Sequence, residues 1–592
     1  MKAYAVIGLA ALAAFAPHAY AEVLPGWTDA VVRHWERGTI TDADLAGIIG
    51  YVIGDGAASM GDIPILVAAG EASAGLGMHD DAVRYYDLAL GARPGSLDAL
   101  AGKAAALDGL GMHVEAVEYY DEALKKSPRD TDLLYGKGIA LANNGWHDDA
   151  ATMYRHVLAA DPDNVEALRS MAASLVATYM YEDAITHYDR ALEVDPDDVA
   201  AHRAKADALI SSYMYEEALA QYDMALGIEP DDLDALTGKT TALMRMGMYE
   251  EALKLVELVL EKDPNHADAL YNNGYILTRL GKYSEGERYF EKAVEIHDRA
   301  LQEEPDNSIA LAGKALALTD TGRYSEAIRQ VDRILEIDPD NRDALTIKAD
   351  VLVSLEKYEE ALPYYEMVVD ADPDNFDALV GMATALTLTE EYEEAMIYTD
   401  RALAVIPDDA RVHNIKAVTL SWIGWSELAL EHYDKALEAD PENVVLLANI
   451  GSALSDLGRS DKALTYVDRA LEINPDYPWA LQAKSYVLEG MNDYDGALEY
   501  ANRALEIDPD DINILWDVVA LHTDQGQWED ALRYLYRITE IDPDDKYAFN
   551  AAGYSLIQLG RYSEAVELLN RALEIDPAYT NAFDNREYAL NN

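Results

Sequence analysis

Fifteen of the twenty prolines in this 592-residue chain stand on one ruler. From Pro94 to Pro264, and again from Pro305 to Pro577, they recur every 34 residues, and only the interval from Pro264 to Pro305 is 41. A period of that length marks a small supersecondary unit that cannot bury its own apolar face and must stack on its neighbours. Taking the proline as the thirty-second place starts the first unit at Ile63 and ends the fifteenth at Tyr579.

Other places keep the same register. The eighth is small in most units (Gly138, Ala172, Ala206, Gly274, Ala315, Gly451), and the twentieth is Ala in all but the seventh, where it is Gly286. The twenty-seventh is usually Ala, as at Ala123, Ala191 and Ala402. Small residues at these places let two helices approach closely. A Tyr often follows the turn between them, as at Tyr181, Tyr215 and Tyr358, and its ring is expected to fill the gap beside the small residues. The turn often carries Gly where a left-handed cap is needed, as at Gly111, Gly145 and Gly247. The Asp-Pro-Asp-Asp or Asp-Pro-Asp-Asn segment stops the second helix with Pro, and its last residue is placed to cap the next first helix. Asp161 to Asn164 and Asp508 to Asp511 are examples.

Helix, turn, helix and stop at 34 residues, with small residues and a late Pro at fixed places, resembles the tetratricopeptide repeat family, in a secreted archaeal-type form. The resemblance covers 63–579. It implies an all-α fold, a right-handed superhelical solenoid of about fifteen stacked helix-turn-helix repeats, with a concave groove that binds peptide or protein.

The array has three irregular places. The seventh repeat, 267–307, is seven residues longer, with two versions of a helix ending around Ala293 and Ala300. Seven residues are close to two turns, so the helix is expected to lengthen by about 10 Å and divide the array into 63–307 and 308–579. Such a segment reads equally as a partner-specific ridge and as a tolerated insertion. Val519 stands on a small-residue place, with Thr240 and Ser485 milder departures, and is expected to open its helix pair slightly. Residues 580–592 carry Glu587 at the small place and read as a solvating, capping helix.

Residues 1–21 read as an export signal: Lys2, an apolar run from Ala3 to Ala16 too short to span a bilayer, Pro17, and a small-residue site at Ala19-Tyr20-Ala21. Residues 22–62 fall outside the repeat. They are expected to form two short helices, one over Trp27 to Arg37 and one capped by Thr41, and resemble a module near the ends of exported archaeal proteins. Capping the array and touching the cell surface are both open to them. An extracellular or envelope location follows, with no transmembrane helix in the mature chain.

Chemistry is sparse. With no cysteine there are no disulfides, thiolate metal sites or thiol nucleophiles. Nucleophile-elbow, phosphate-loop, dinucleotide and zinc-helix motifs are all missing, so neither an enzyme nor a cofactor is expected. His79, His113 and His147 share one place in successive repeats, about 8–10 Å apart by helix packing, too far to converge on one metal. The Asp-rich loops offer oxygen ligands without a calcium-loop order, which allows only weak divalent-cation association.

A net charge of −63 disfavours nucleic acid and anionic lipid and favours basic partners. Family geometry places the second, fifth, ninth, twelfth and thirteenth residues of each first helix on the concave face. There the resemblance implies Tyr135, Tyr271, Tyr275, Trp422, Tyr486, Trp516 and Tyr554, with Asp207, Asp350, Asp456 and Asp524 among them. Aromatics beside acids suit a peptide with apolar anchors and basic residues. For each of them, packing against a neighbouring repeat is the competing role. The family's carboxylate clamp is missing, since place five is basic only at Arg169 and Arg203. The Asn ladder of glycosyltransferase-linked arrays is missing too, with Asn at place six only at Asn272 and Asn449. The expected function is an exported scaffold holding a basic protein or peptide. The alternatives are an acidic, cation-associated surface component, or a helper subunit that positions a separate enzyme.

Overall fold

The structure is a computed structural model that describes Thr41, residues 63–439 and residues 441–592. The export signal at 1–21 and the module at 22–62, Thr41 apart, lie outside the described residues. Thirty-one helices follow one another among those described, from Ile63–Gly75 to Thr580–Asn591, in helix-turn-helix pairs on the 34-residue frame. The first helix of each pair has 13 residues and the second usually 14. By contacts the chain divides into two compact units, 1–296 and 297–592.

Local chemistry fixes each boundary. The last residue of the loop caps the next helix: Asn164 accepts the Ala167 amide at 2.9 Å, Asp198 that of Ala201 at 3.0 Å and Asp511 that of Asn513 at 2.9 Å. The first Asp of the loop is occupied as well, since Asp195 accepts from the Asp197 amide. Each such cap contributes roughly 1 kcal/mol. Paired acids then open most second helices, as at Glu250 and Glu251, where the helix dipole favours them.

At the turn, place fifteen is left-handed throughout. Ten repeats put Gly there, including Gly111, Gly145 and Gly247 as expected, while Tyr179, Tyr213, Glu356, Glu390 and Asn492 adopt the same positive φ without being glycine. The next residue closes the cap by bonding back five residues, as when the Met112 amide reaches the Leu107 carbonyl at 2.9 Å.

The core runs through the small places. Ala82, Ala116, Ala150, Ala184, Ala218 and Ala252 are all completely buried. The ring that fills the space beside them is not the one after the turn, however. Tyr181, Tyr215 and Tyr358 are only half-buried and Tyr283 is exposed. The filling ring stands at place twenty-four: Tyr86, Tyr154, Tyr222 and Tyr365 are among the largest fully buried side chains. Position along the second helix decides this, because place twenty-four faces both its own first helix and the next repeat. A Cβ on Gly70 would stand 2.5 Å from the Tyr86 ring, and one on Gly102, at place six of the next repeat, 2.3 Å. Gly136 meets Tyr120, Gly238 meets Tyr222 and Gly381 meets Tyr365 in the same way. Where place eight is the larger Val519, place twenty-four is Leu535, so a smaller partner takes up the volume and both stay buried.

The expected lengthening in repeat seven is present as one helix, Tyr283–Glu303, of 21 residues. It carries two copies of the same packing pattern. In the first unit Phe290 takes place twenty-four, and a Cβ on Gly274 would lie 2.8 Å from its ring. In the second unit His297 repeats that role toward Gly313, and Asp298 holds Lys314 at 2.6 Å. The array closes on the helix Thr580–Asn591, which buries Ala582 and Ala589 and leaves Glu587 exposed.

Candidate partner-binding face

Eight lysines hold neighbouring repeats together. At place seven a lysine reaches back to an aspartate at place twenty-five of the preceding repeat: Lys103 to Asp87 (2.5 Å), Lys137 to Asp121 (2.6 Å), Lys348 to Asp332 (2.7 Å) and Lys484 to Asp468 (2.6 Å). Lys205, Lys239, Lys314 and Lys416 make the same clasp. In Lys103 burial acts to lower the pKa, and the bonds from Asp87 and Tyr119 outweigh it and raise the net value. With these lysines turned into the seams, the faces that remain are acidic.

The residues expected on the concave face separate into two groups. In the first unit most are committed to structure. The Tyr135 hydroxyl is 3.1 Å from Ser170 Oγ and its ring lies against Tyr154. Tyr271 packs against Phe290 (5.6 Å between centroids) and Tyr275 (6.5 Å), while Arg279 stacks on Tyr275 and donates to its hydroxyl at 2.8 Å. Asp207 accepts from the buried Tyr222 hydroxyl; burial raises its pKa, against the pull of that bond and of Arg203. Asp350, in the second unit, holds Tyr365 in the same way at 2.5 Å.

In the second unit, first helices of repeats eleven to fourteen keep Trp422, Asp456, Tyr486 and Asp524 outward. Trp422 is 68% exposed. Tyr486, also exposed, donates to Asp456 Oδ1 at 2.6 Å, and that bond, with burial, raises its pKa to about 12. Asp524 is exposed; Trp516 is half-buried against the core around Leu535, and Tyr554 sets its ring edge against Trp528 at 5.8 Å. The structure therefore brings Tyr486 and Asp456 together and keeps Trp516 and Tyr554 with other partners.

Three further residues belong to this face. Trp479 is exposed and donates to Asn449 Oδ1 at 2.8 Å, and Asn449 in turn donates to Asn414. Glu489 has a raised pKa from burial and from the facing carboxylates of Asp524 and Asp517. Asp517, likewise raised by burial, accepts from Gln482 at 2.5 Å. Trp479 and Glu489 stand at places two and twelve, so the register already pointed to them. Asp517 stands at place six, which family geometry does not count as concave. Burial is the main cause for both carboxyls, and neighbouring carboxylates add to it, so a cation beside them would favour their charged forms.

Among the described residues no group of three or more His, Asp or Glu side chains is placed to hold a metal, and no helix is long and apolar enough to cross a membrane. His113 sits 2.6 Å from Asp108.

Family models described as tetratricopeptide repeat match residues 67–131, 109–274 in four overlapping spans, 267–297, 286–351, 352–418, 443–510, 488–553 and 547–579. No curated protein matches closely enough to count as a relative. Solved structures similar to the chain include the APC/C hetero-tetramer Cut9-Hcn1, at 14% identity over 84% of this chain and 96% of that one, with a TM-score of 0.47. Naa15/Naa10 bound to HypK-THB matches at 15% identity over 89% and 96% (TM-score 0.36), and yeast Tom70 at 17% over 78% and 95% (TM-score 0.34).

Proposed function

The chain belongs to the tetratricopeptide repeat family, and on that premise we propose that it is an exported, non-catalytic scaffold that holds a basic protein or peptide segment on the face of repeats eleven to fourteen. The observation that carries the reading is the set of outward aromatics Trp422, Trp479 and Tyr486 among Asp456, Glu489, Asp517 and Asp524. Apolar anchors take up the ring faces of such a site while lysine or arginine satisfies the carboxylates. Export is supported by the signal-like segment at 1–21, and an extracellular or envelope location goes with it.

The test is a pull-down with the mature chain at several salt concentrations, followed by titration of the recovered partner. Replacing Trp422 and Tyr486 with Ala is expected to weaken that partner at least tenfold, about 1.4 kcal/mol or more. Recovery of only bulk, calcium-dependent material, unaffected by the two substitutions, would sink the reading in favour of a cation-associated surface component.

A further inference from the structure

Place sixteen, the residue that closes each turn, differs between repeats one to six and the repeats that follow them. Repeats one to six carry Met78, Met112, Trp146, Met180, Met214 and Met248 there. The first five of these large apolar side chains are 41–46% exposed. Later repeats carry Lys282, Arg323, Lys357, Glu391, Arg459, Asp493, Gln527 and Arg561 at the same place, with Trp425 the one large apolar residue.

The turn itself does not ask for methionine. The cap geometry favours an apolar residue at this place, yet Lys282, Arg323, Lys357 and Arg459 close the same bond, at 2.8, 2.8, 2.9 and 2.8 Å, as Met180 and Met214 do at 2.8 and 2.9 Å. Single exposed apolar residues are ordinary, but a row exposed at one edge over five successive repeats is not. Thioether side chains are flexible and polarizable and adapt to varied apolar partners.

Charge says what kind of partner. The two residues beyond the histidine or tyrosine that follows this row are acidic in repeats one to six (Val114 apart), as at Asp148, Asp149, Glu216 and Glu217, all exposed. No lysine or arginine occupies the turn from place fourteen to place nineteen in these six repeats. In the later repeats the basic residue at place sixteen neutralises its own acid: Arg323 holds Glu326 at 2.8 Å, Lys357 holds Glu360 at 2.8 Å and Arg561 holds Glu564 at 2.6 Å. Repeats one to six thus present an apolar row edged by acids to which their own turns supply no lysine or arginine, while Asp81 meets Arg84, three residues along its helix, at 4.0 Å.

We propose that this row is a docking ridge for a basic amphipathic helix. Neighbouring repeats stand about 10 Å apart by helix packing. A helix rises about 10.5 Å in seven residues, so apolar side chains repeated by heptads fall on successive ridge residues while lysines and arginines between them meet the acids. A second copy of this acidic chain is repelled, and so is an anionic membrane. The ridge is distinct from the face of repeats eleven to fourteen, and its occupancy does not depend on that face.

The full mature chain, with its methionine methyl groups labelled, is titrated with a synthetic Leu/Lys/Arg amphipathic helix of about 21 residues, two heptads beyond the first. The expected result is saturable binding that weakens with salt. The signals of Met78, Met112, Met180 and Met214 shift, and those of Met224, Met367 and Met491, exposed elsewhere, do not. Met112→Ser, Trp146→Ser and Met180→Ser together lower the affinity roughly tenfold or more with an unchanged melting profile. Equal binding by this triple variant, shifts at the other methionines only, or equal binding by a scrambled peptide overturns the proposal. So does self-association through the ridge, or attachment to phosphatidylcholine vesicles without peptide binding. Loss of peptide binding on changing Trp422 and Tyr486 instead would overturn the ridge while supporting the face of repeats eleven to fourteen.

Discussion

The contact between place twenty-four of one repeat and place six of the next gives the most direct test of the packing. Tyr365 is 1% exposed, and its hydroxyl is fixed to Asp350 at 2.5 Å. A Cβ on Gly381 would stand 2.3 Å from Cζ and 2.4 Å from Cε1 of that ring. Ordinary contact begins about 1 Å further out, and the ring has no free direction in which to move. Overpacking of this kind costs about 3 kcal/mol at the upper end of its range, and the better helix propensity of alanine returns about 1, so Gly381→Ala is expected to destabilise by about 2 kcal/mol. Tyr365→Val removes the ring and costs about 3 kcal/mol. Together the two should cost no more than the second alone, because the clash is gone: a coupling of about 2–3 kcal/mol. Repeat arrays unfold in parts, so the cost is best read locally, as hydrogen exchange across residues 342–409 with urea unfolding beside it. Additivity within about 0.5 kcal/mol would refute the steric reasoning.

Two further perturbations follow from named residues. Glu356 and Glu390 hold left-handed φ values of 59° and 65°. That conformation costs a non-glycine residue roughly 1–2 kcal/mol, partly offset by the added freedom of glycine when unfolded, so Glu356→Gly and Glu390→Gly should each stabilise by about 0.5–1 kcal/mol. An unchanged or lower urea midpoint would contradict this. His413 Nδ1 lies 2.9 Å from His432 Nδ1, and His413 Nε2 lies 3.1 Å from the Pro407 carbonyl. Burial, then Lys416, His413 and Lys435, lowers His432 to about 4, while Asp400 opposes them. Both rings are neutral in the fold and charge on unfolding, so their contribution is complete above about pH 6.5 and is lost as pH falls toward 4. At about 1.4 kcal/mol per unit, discounted for partial exposure, that is about 2 kcal/mol. Repeat five supplies an uncharged version of the pair, in which Gln221 meets His202 at 2.9 Å. His432→Gln should therefore keep the contact and flatten the acid limb of urea midpoint against pH. An unaltered limb would remove the pair from the account.

Much of the fold was legible because the chain repeats its own evidence. Caps at Asn164 and Asp511, glycines at the left-handed turn and the buried alanines are local requirements, and local chemistry writes them into every repeat. The identity of the filling ring was not legible from one repeat, because the demand on place twenty-four comes partly from the following one. Reading places twenty-four and six together would have exposed it: Gly102, Gly136, Gly238 and Gly381 each follow a repeat with Tyr at place twenty-four. Ile347 and Ile415 follow the smaller Val331 and Thr399. The face of repeats eleven to fourteen was half legible. Trp422, Tyr486, Asp456 and Asp524 follow from register, whereas Asp207 and Asp350 have the same composition and serve buried tyrosines instead. A residue's place says which way it points, and only the neighbouring repeat says whether something is already there.

That distinction also separates what the 34-residue frame requires from what it leaves open. Place eight and place twenty must be small because a helix axis passes close by, and the frame tolerates little else without compensation, as at Val519 and Leu535. Place seven is tied wherever it is lysine, to an aspartate sixteen residues before it, as at Lys348 and Asp332. Place sixteen is different. Its amide closes the turn equally well from Met180 and from Lys357, so the bond that ends the turn does not fix which side chain stands there. Place thirteen is similar, since Leu388, Trp422 and Asp456 follow one another there in successive repeats. Variation at such places leaves the turn bond and the buried small places intact, so selection on them can act through partners. A run of one side-chain type at an unconstrained place, as from Met78 to Met248, carries more functional information than the same residues would inside the core.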